Sequence, residues 1–259
     1  MSERGYQHDF ARTHPAMYEQ EGRKRKADTT VAVLCDALGD RLRNARVVNV
    51  GCSSGIIDSF IAPHVGHLTG IDIDETAIAH ANERHATTRL EFRRGDAMAL
   101  DFPNASFDVV LCSQVYEHVP NPQTMMDEIL RVLAPGGICY FTATNKLYPI
   151  EQHYFLPFLS MLPQSLADLY LRVTGKGDRY YERHLTYWQL RRLTAAFEFT
   201  DYTRRLVMEA EQFATEYMVG TGGVKTRVLR AWLRVAYWAF PSYVWVLRKP
   251  GSPESAPDS

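Results

Sequence analysis

The apolar positions of this chain fall first at helical spacing and then in short buried runs. Val31, Leu34, Cys35 and Leu38 recur three and four residues apart, which predicts a helix over 17–42. Residues 46–50 form a brief apolar run closed by Gly51, the pattern of a strand buried on both faces. A regular alternation follows. Helices are predicted over 56–62 (stopped by Pro63), 75–85 and 125–133, and strands over 67–71, 90–93, 107–112 and 138–143. The run Ala134-Pro135-Gly136-Gly137 carries helix-stop and turn chemistry between the last helix and strand of this series. Strands separated by helices of this length imply an α/β fold, with a mostly parallel sheet covered on both faces.

After Asn145 the rhythm breaks. Residues 146–183 are rich in Tyr, Leu, Pro and Phe and read as an inserted, aromatic-rich cap or lid. A helix resumes over 186–197 with Thr186 as its N-cap, followed by a predicted strand over 199–207. Residues 220–223 read as a flexible joint, 224–240 as a helix ended by Pro241, and 242–247 as a closing strand. The expected organisation is an N-terminal helical segment (1–45), a ligand-binding core (46–145), the cap (146–183), the rest of the domain (184–249) and a disordered tail (250–259).

Composition is that of an ordinary globular chain of 259 residues with a net charge of −1. The charge is unevenly spread, with 7 Lys/Arg against 14 Asp/Glu over 46–171 and 14 against 7 over 172–249. Solvated helix faces account for this most simply, and the basic residues Arg23, Lys24, Arg25 and Lys26 are read the same way. A basic C-terminal third also suits peripheral contact with an anionic membrane, through Arg227, Arg230 and Arg234 beside Trp232, Tyr237 and Trp238. Nucleic acid is not expected as a partner. The apolar stretch 231–247 contains Arg234 and Pro241 and falls short of the roughly 20 residues a membrane span needs. Cys35, Cys52, Cys112 and Cys139 form no CxxC pair, so neither a disulfide framework nor a zinc site is indicated. The polar N-terminus lacks the apolar stretch of a secretory signal, and a reducing cytoplasmic setting is the expectation.

The candidate chemistry begins at Asn49-Val50-Gly51-Cys52-Ser53-Ser54-Gly55. A glycine-rich turn between strand and helix lets a ligand approach the backbone closely and presents free amides. Alone it suits many folds. It is neither a GxGxxG fingerprint nor a phosphate loop. Asp72 falls at the end of the second predicted strand, where a carboxylate can accept both hydroxyls of a ribose. Asp96 lies just past the third, where it can accept from an adenine amino group. Three such features at successive strand ends share the sheet edge where open α/β sheets bind ligands.

The stretch VVNVGCSSG…TGIDID…RRGDAMALDFPNASFDVVLCSQVYEHVPNPQTMMDEILRVLAPGGICYFTATN resembles the class I S-adenosylmethionine (SAM)-dependent methyltransferases, over about residues 46–145. Within them it is similar to the group that contains the ubiquinone and menaquinone biosynthesis enzymes. The resemblance implies a Rossmann-like sheet with an antiparallel last strand. It further implies that Gly51, Cys52 and Gly55 line the methionine part of SAM, with Asn49 bonding the loop or the ammonium group. Asp72 would hold the ribose with Ile73 against the adenine, Asp96 and Ala97 would read the adenine edge, and Ser113 and Gln114 would lie beneath the sulfonium. Two departures stand out, since many relatives have an acidic residue in place of Asn49 and a third glycine in place of Ser53. Ubiquinone-type O-methyltransferases carry a Glu-x-x-Glu-His segment that can hold a divalent cation. Here the first position is Gln114, in Gln114-Val115-Tyr116-Glu117-His118, and no metal is expected.

Methyl transfer is an in-line displacement at a carbon already activated by a sulfonium, so the protein supplies position, desolvation and a base. His118 and His153 are the candidate bases, each with a packing role as the alternative, and His184 is a weaker one. The expected acceptor is a small-molecule, lipid-linked or glycan substrate, with O-methylation favoured by the histidines. The product would be S-adenosylhomocysteine (SAH). Two rivals are a catalytically silent SAM-binding scaffold and a nicotinamide-dependent oxidoreductase, the latter lacking a correctly spaced third glycine.

Overall fold

The computed structural model describes residues 18–220 and 223–251. The expected helix start at Met17, the joint residues Thr221 and Gly222, and tail residues 252–259 lie outside the described residues. The first helix, α1 (Gln20–Leu38), starts where the Glu19 carboxylate accepts from the amides of Glu21 and Gly22, at 2.9 and 2.6 Å. It ends at Gly39, which adopts a left-handed φ of +57° that L-residues avoid, and a 3₁₀ turn follows over Gly39–Asn44.

Seven strands make one sheet. They are β1 (Arg46–Val50), β2 (His67–Asp72), β3 (Leu90–Arg94), β4 (Phe107–Ser113), β5 (Leu133–Thr144), β6 (Glu198–Asp201) and β7 (Ser242–Arg248). Their order is β3-β2-β1-β4-β5-β7-β6, with β7 antiparallel to both neighbours and the other pairs parallel. The order turns back on itself at β1, where β2 lies on one side and β4 on the other. Val50 is level with Ile71 of β2 and Cys112 of β4, so three strands end together. That is the switch point at which a crevice opens in such sheets.

Alternate residues of the central strands feed opposite faces. Val48, Val50, Val110, Cys112 and Phe141 enter one core, whereas Val47, Val109, Leu111 and Tyr140 enter the other. The helices that cover these faces are α1, α2 (Ile56–Ile61), α3 (Glu75–His85), α4 (Pro122–Val132), α6 (Tyr187–Leu193), α7 (Thr203–Met208), α8 (Glu216–Val219) and α9 (Val224–Val235). Residues 146–183 hold α5 (Gln164–Val173) and a small core of their own, built from Leu156, Leu159, Ala167, Leu171 and Tyr180.

Several expected elements differ, among them the helices expected over 17–42 and 186–197, which end at Leu38 and Leu193. Strand β5 begins at Leu133, and the bulge between Phe107↔Leu133 and Val109↔Ile138 absorbs Ala134–Gly137, with Gly136 at φ +74°. The expected strand 199–207 stops at Asp201, whose side chain accepts the Thr203 amide at 2.9 Å and starts α7 instead. The expected helix 224–240 stops at Val235, because Ala236 leaves helical geometry (φ −140°, ψ 49°), and a 3₁₀ turn carries Tyr237–Ala239. Thr186 is the N-cap of α6, in a capping box with Gln189.

Candidate active site

The loop after β1 is held by backbone geometry. Gly51, Ser53 and Gly55 all have positive φ, at 78°, 51° and 73°. A Cβ on Gly51 would stand 2.7 Å from a Val115 methyl, and one on Gly55 would stand 2.6 Å from the Phe92 ring. The amides of Gly51 and Cys52 both donate to the Ile71 carbonyl, at 2.8 and 2.9 Å. Ser53, where a third glycine was the expected pattern, accepts a conformation that costs an L-residue roughly 1 kcal/mol. Its amide donates to Asp72 Oδ2 at 2.8 Å, which offsets that cost.

Asp72 therefore ties two elements together. Its other oxygen accepts the Asp74 amide at 2.9 Å, and Asp74 caps α3. Burial pushes the Asp72 carboxyl up, against the lowering effect of the Asp74 and Ser53 amides. The Gly95 amide donates to the Asp72 carbonyl at 2.9 Å, which brings Asp96 and Ala97 alongside Ile73. Asp96 Oδ1 accepts the Met98 amide at 3.0 Å.

A cavity of about 320 Å³ follows this edge, in the size range of small-molecule sites. Asn49, Gly51, Asp72, Ile73, Asp96, Ala97, Ser113, Gln114, His118 and His153 all line it. Cys52 and Gly55 do not belong to its wall. Cys52 is buried in the core below the loop, where its Cβ lies against Gly70, and Gly55 faces Phe92 and Ala81 at the start of α2. At the end of β4, Ser113 Oγ pairs with Thr142 Oγ1 at 2.8 Å, and Gln114 Nε2 donates to Thr144 Oγ1 at 3.3 Å.

The opposite end of the cavity carries the histidines. The rings of His118 and His153 meet edge to face, centroids 5.2 Å apart. His153 Nδ1 lies 2.7 Å from Glu151 Oε1, which also faces His184 Nε2 at 3.3 Å. Glu151 Oε2 accepts the amides of His153 and Tyr154. Burial pushes the Glu151 carboxyl up, yet the hydrogen bonds from His153 and His184 outweigh it and hold the group well below the usual range. Burial lowers the His153 imidazole, but its bond to Glu151 leaves it above its ordinary value.

Residues 48–141 match the model of a family described as "Methyltransferase domain". Residues 48–141 are a methyltransferase domain. A ubiquinone biosynthesis O-methyltransferase of Psychrobacter cryohalolentis is 29% identical over 163 residues, covering 61% of this chain and 60% of that protein. One of Pseudomonas putida strain F1 is 33% identical over 134 residues, covering 49% and 57%. The chain thus spans about 60% of the length of the curated relatives it matches. The solved SAM-dependent methyltransferase of Mesorhizobium loti shares the fold at a TM-score of 0.54 and 18% identity, covering 83% of this chain and 95% of that one.

Two further features bear on the site, one that the sequence reading passes over and one that it reads otherwise. Asp58, on α2, is fully buried and receives the Asn49 amide on both carboxylate oxygens. Burial raises its carboxyl to about 7. The basic run on α1 is split. Lys24 pairs with Asp28 and Arg25 with Glu21 on the outer face, as expected, whereas Arg23 and Lys26 turn to the cavity wall with Thr30. The i, i+3, i+7 spacing of Arg23, Lys26 and Thr30 is the signal that points to this second face.

Proposed function

We propose that this chain transfers the methyl group of SAM to a hydroxyl of a small-molecule or lipid-linked acceptor, releasing SAH. The observation that carries this reading is the single cavity that links Asp72 and Asp96, past Ser113 and Gln114, to His118 and His153. Asp72 accepts the ribose hydroxyls, Ile73 and Ala97 flank the adenine, and Asp96 faces its amino group. Arg23 and Lys26 suit the carboxylate of the methionine part, and the Asp58 charge lies behind Asn49 on the side of the ammonium group. Ser113 and Gln114 support the sulfonium centre. The acceptor then lies between that centre and the histidines, where His118 takes the hydroxyl proton. Residues 146–183 contribute His153 and act as the cap over this end.

Both relatives are named for O-methylation in ubiquinone biosynthesis, which supports a hydroxyl acceptor over a carbon or nitrogen one. The experiment is a screen of candidate acceptors with SAM carrying a labelled methyl group. Label recovered as a methyl ether supports the reading, and label recovered on carbon or nitrogen overturns O-methylation.

Among the described residues, no helix is long and apolar enough to cross a membrane. Helix α9 exposes Val224, Val228 and Val235 beside Arg227, Arg230 and Arg234, a composition suited to peripheral contact with anionic headgroups. Co-sedimentation with anionic vesicles tests this surface, and absence of binding removes it.

A further inference from the structure

The histidine end of the cavity buries more negative charge than its hydrogen bonds satisfy. Glu117, Glu151 and Glu182 are 1%, 2% and 3% exposed. Glu151 is fully partnered, but among the described residues both carboxylate oxygens of Glu117 have no hydrogen-bond partner, nor has Oε2 of Glu182. The same holds for Nδ1 of the buried His184. Unpaired carboxylates are strongly disfavoured in an interior unless a proton or a cation neutralises them. Glu117 adjoins His118, and Glu182 lies two residues before His184. The rings of these two histidines stand 5.2 and 6.0 Å from that of His153, so the three carboxylates share one end of the cavity with the three histidines. Backbone bonds hold this convergence in place, since the Arg183 amide donates to the Glu117 carbonyl at 2.9 Å and the Lys146 amide to that of Leu185 at 3.0 Å.

We propose that Glu151, His153 and His184 bind one divalent transition-metal ion, with Glu117 supplying the second negative charge beside it. One ligand atom from each of the three residues lies within 4.8 Å of the others. Two of the separations are 2.7 and 3.3 Å, both measured to Glu151 Oε1. Ligands about 2.1 Å from a zinc-sized ion stand roughly 3.0–3.4 Å from one another, so small side-chain rotations close the set. Two imidazoles and a carboxylate favour zinc, cobalt or manganese over calcium or magnesium, which take mostly oxygen ligands. The expectation of no metal rested on the neutral Gln114 in its own segment, and none of these three ligands belongs to that segment.

The role of the ion rests on the reading of this end of the cavity as the acceptor's. A hydroxyl beside a dication gives up its proton more readily. The O–H proton passes to the His118 imidazole and the oxygen forms a bond to the methyl carbon. The carbon–sulfur bond breaks with its electron pair left on sulfur, giving SAH. His153 then acts as a ligand, and His118 is the proton acceptor.

The test is a titration of the full chain, stripped of metal with a chelator, with Zn²⁺, Mn²⁺ and Co²⁺ in turn. One equivalent is expected to bind, with a cobalt visible spectrum that shows nitrogen ligation. Glu151→Gln and His184→Ala should each weaken binding at least tenfold while SAH binding, measured on the same samples, persists. If either variant loses SAH binding through misfolding, His153→Gln at its half-buried position takes its place. No ion bound by the wild type, or equal binding by the variants, overturns the site. Metal binding without SAH binding would contradict the methyltransferase reading and leave the metal site standing.

Discussion

The Asn49 side-chain amide donates to both carboxylate oxygens of Asp58, at 2.9 and 3.0 Å, beneath the glycine-rich loop. Asp58, on α2, thus places a carboxyl directly behind Asn49. Burial raises the Asp58 carboxyl to about 7, with Asp72 adding to the rise and Arg23 opposing it. A carboxyl raised in the fold binds more protons natively than when unfolded between about pH 4 and 7, so stability falls as pH rises through that window. Asp58→Asn should flatten this fall and raise the melting temperature at pH 8, measured by thermal unfolding across pH. The same variant should weaken SAH binding, because the charge attraction for the ammonium group is lost. A variant that loses stability at pH 8 contradicts this account of the pair.

Asp72 holds the loop through Ser53 and the α3 turn through Asp74, and in the proposed function it also takes the ribose. A charge-assisted hydrogen bond contributes about 1.5–3 kcal/mol, or roughly 10- to 100-fold in affinity. Asp72→Asn should weaken SAH by that factor in calorimetry. An unchanged Kd would remove Asp72 from the cofactor site.

The histidine end should govern turnover and leave cofactor affinity nearly intact. General acid–base groups contribute about 10²- to 10⁴-fold. His118→Ala or His153→Ala is expected to lower kcat by at least tenfold, with the Kd of SAH within about twofold of wild type. If neither substitution changes kcat, transfer proceeds by proximity alone.

Helix α1 is tied to α7 by Asp36, which receives Arg205, Tyr202 and Gln212. The Arg205 bond, followed by those from Tyr202 and Gln212, holds the Asp36 carboxyl below its ordinary range. A depressed carboxyl stabilises the fold above its unfolded pKa, and that contribution is lost as pH falls through the folded value. The pair is partly exposed, so screening limits it to about 1 kcal/mol, or roughly 2–4 °C in Tm. Arg205→Ala should show this loss at pH 7 and progressively less of it below pH 4.

The alternation of short apolar runs with helical spacing made the first five strands readable, because turn residues bound each run and keep it too short for a helix, and β3 at the sheet edge alternates buried and more exposed positions instead. Asp72 and Asp96 were readable for the same reason, since strand ends fix where side chains emerge. Residues 199–207 misled because Thr and Val suit strands, while the Asp201–Thr203 hydrogen bond that starts a helix there leaves no periodic trace. The Glu151–His184 contact spans 33 residues across an irregular segment, so no local pattern announces it. Arg23 and Lys26 were hidden among adjacent exposed cations, although their three-residue spacing separates them onto the cavity face.

The glycine loop with Asp72 and Asp96 is read as a SAM site, and direct titration of the full chain with SAH tests that most sharply. One equivalent should bind, Asp72→Asn should weaken it, and NAD should give neither heat nor thermal stabilisation. Absence of SAH binding, or stabilisation by NAD in its place, would contradict the account.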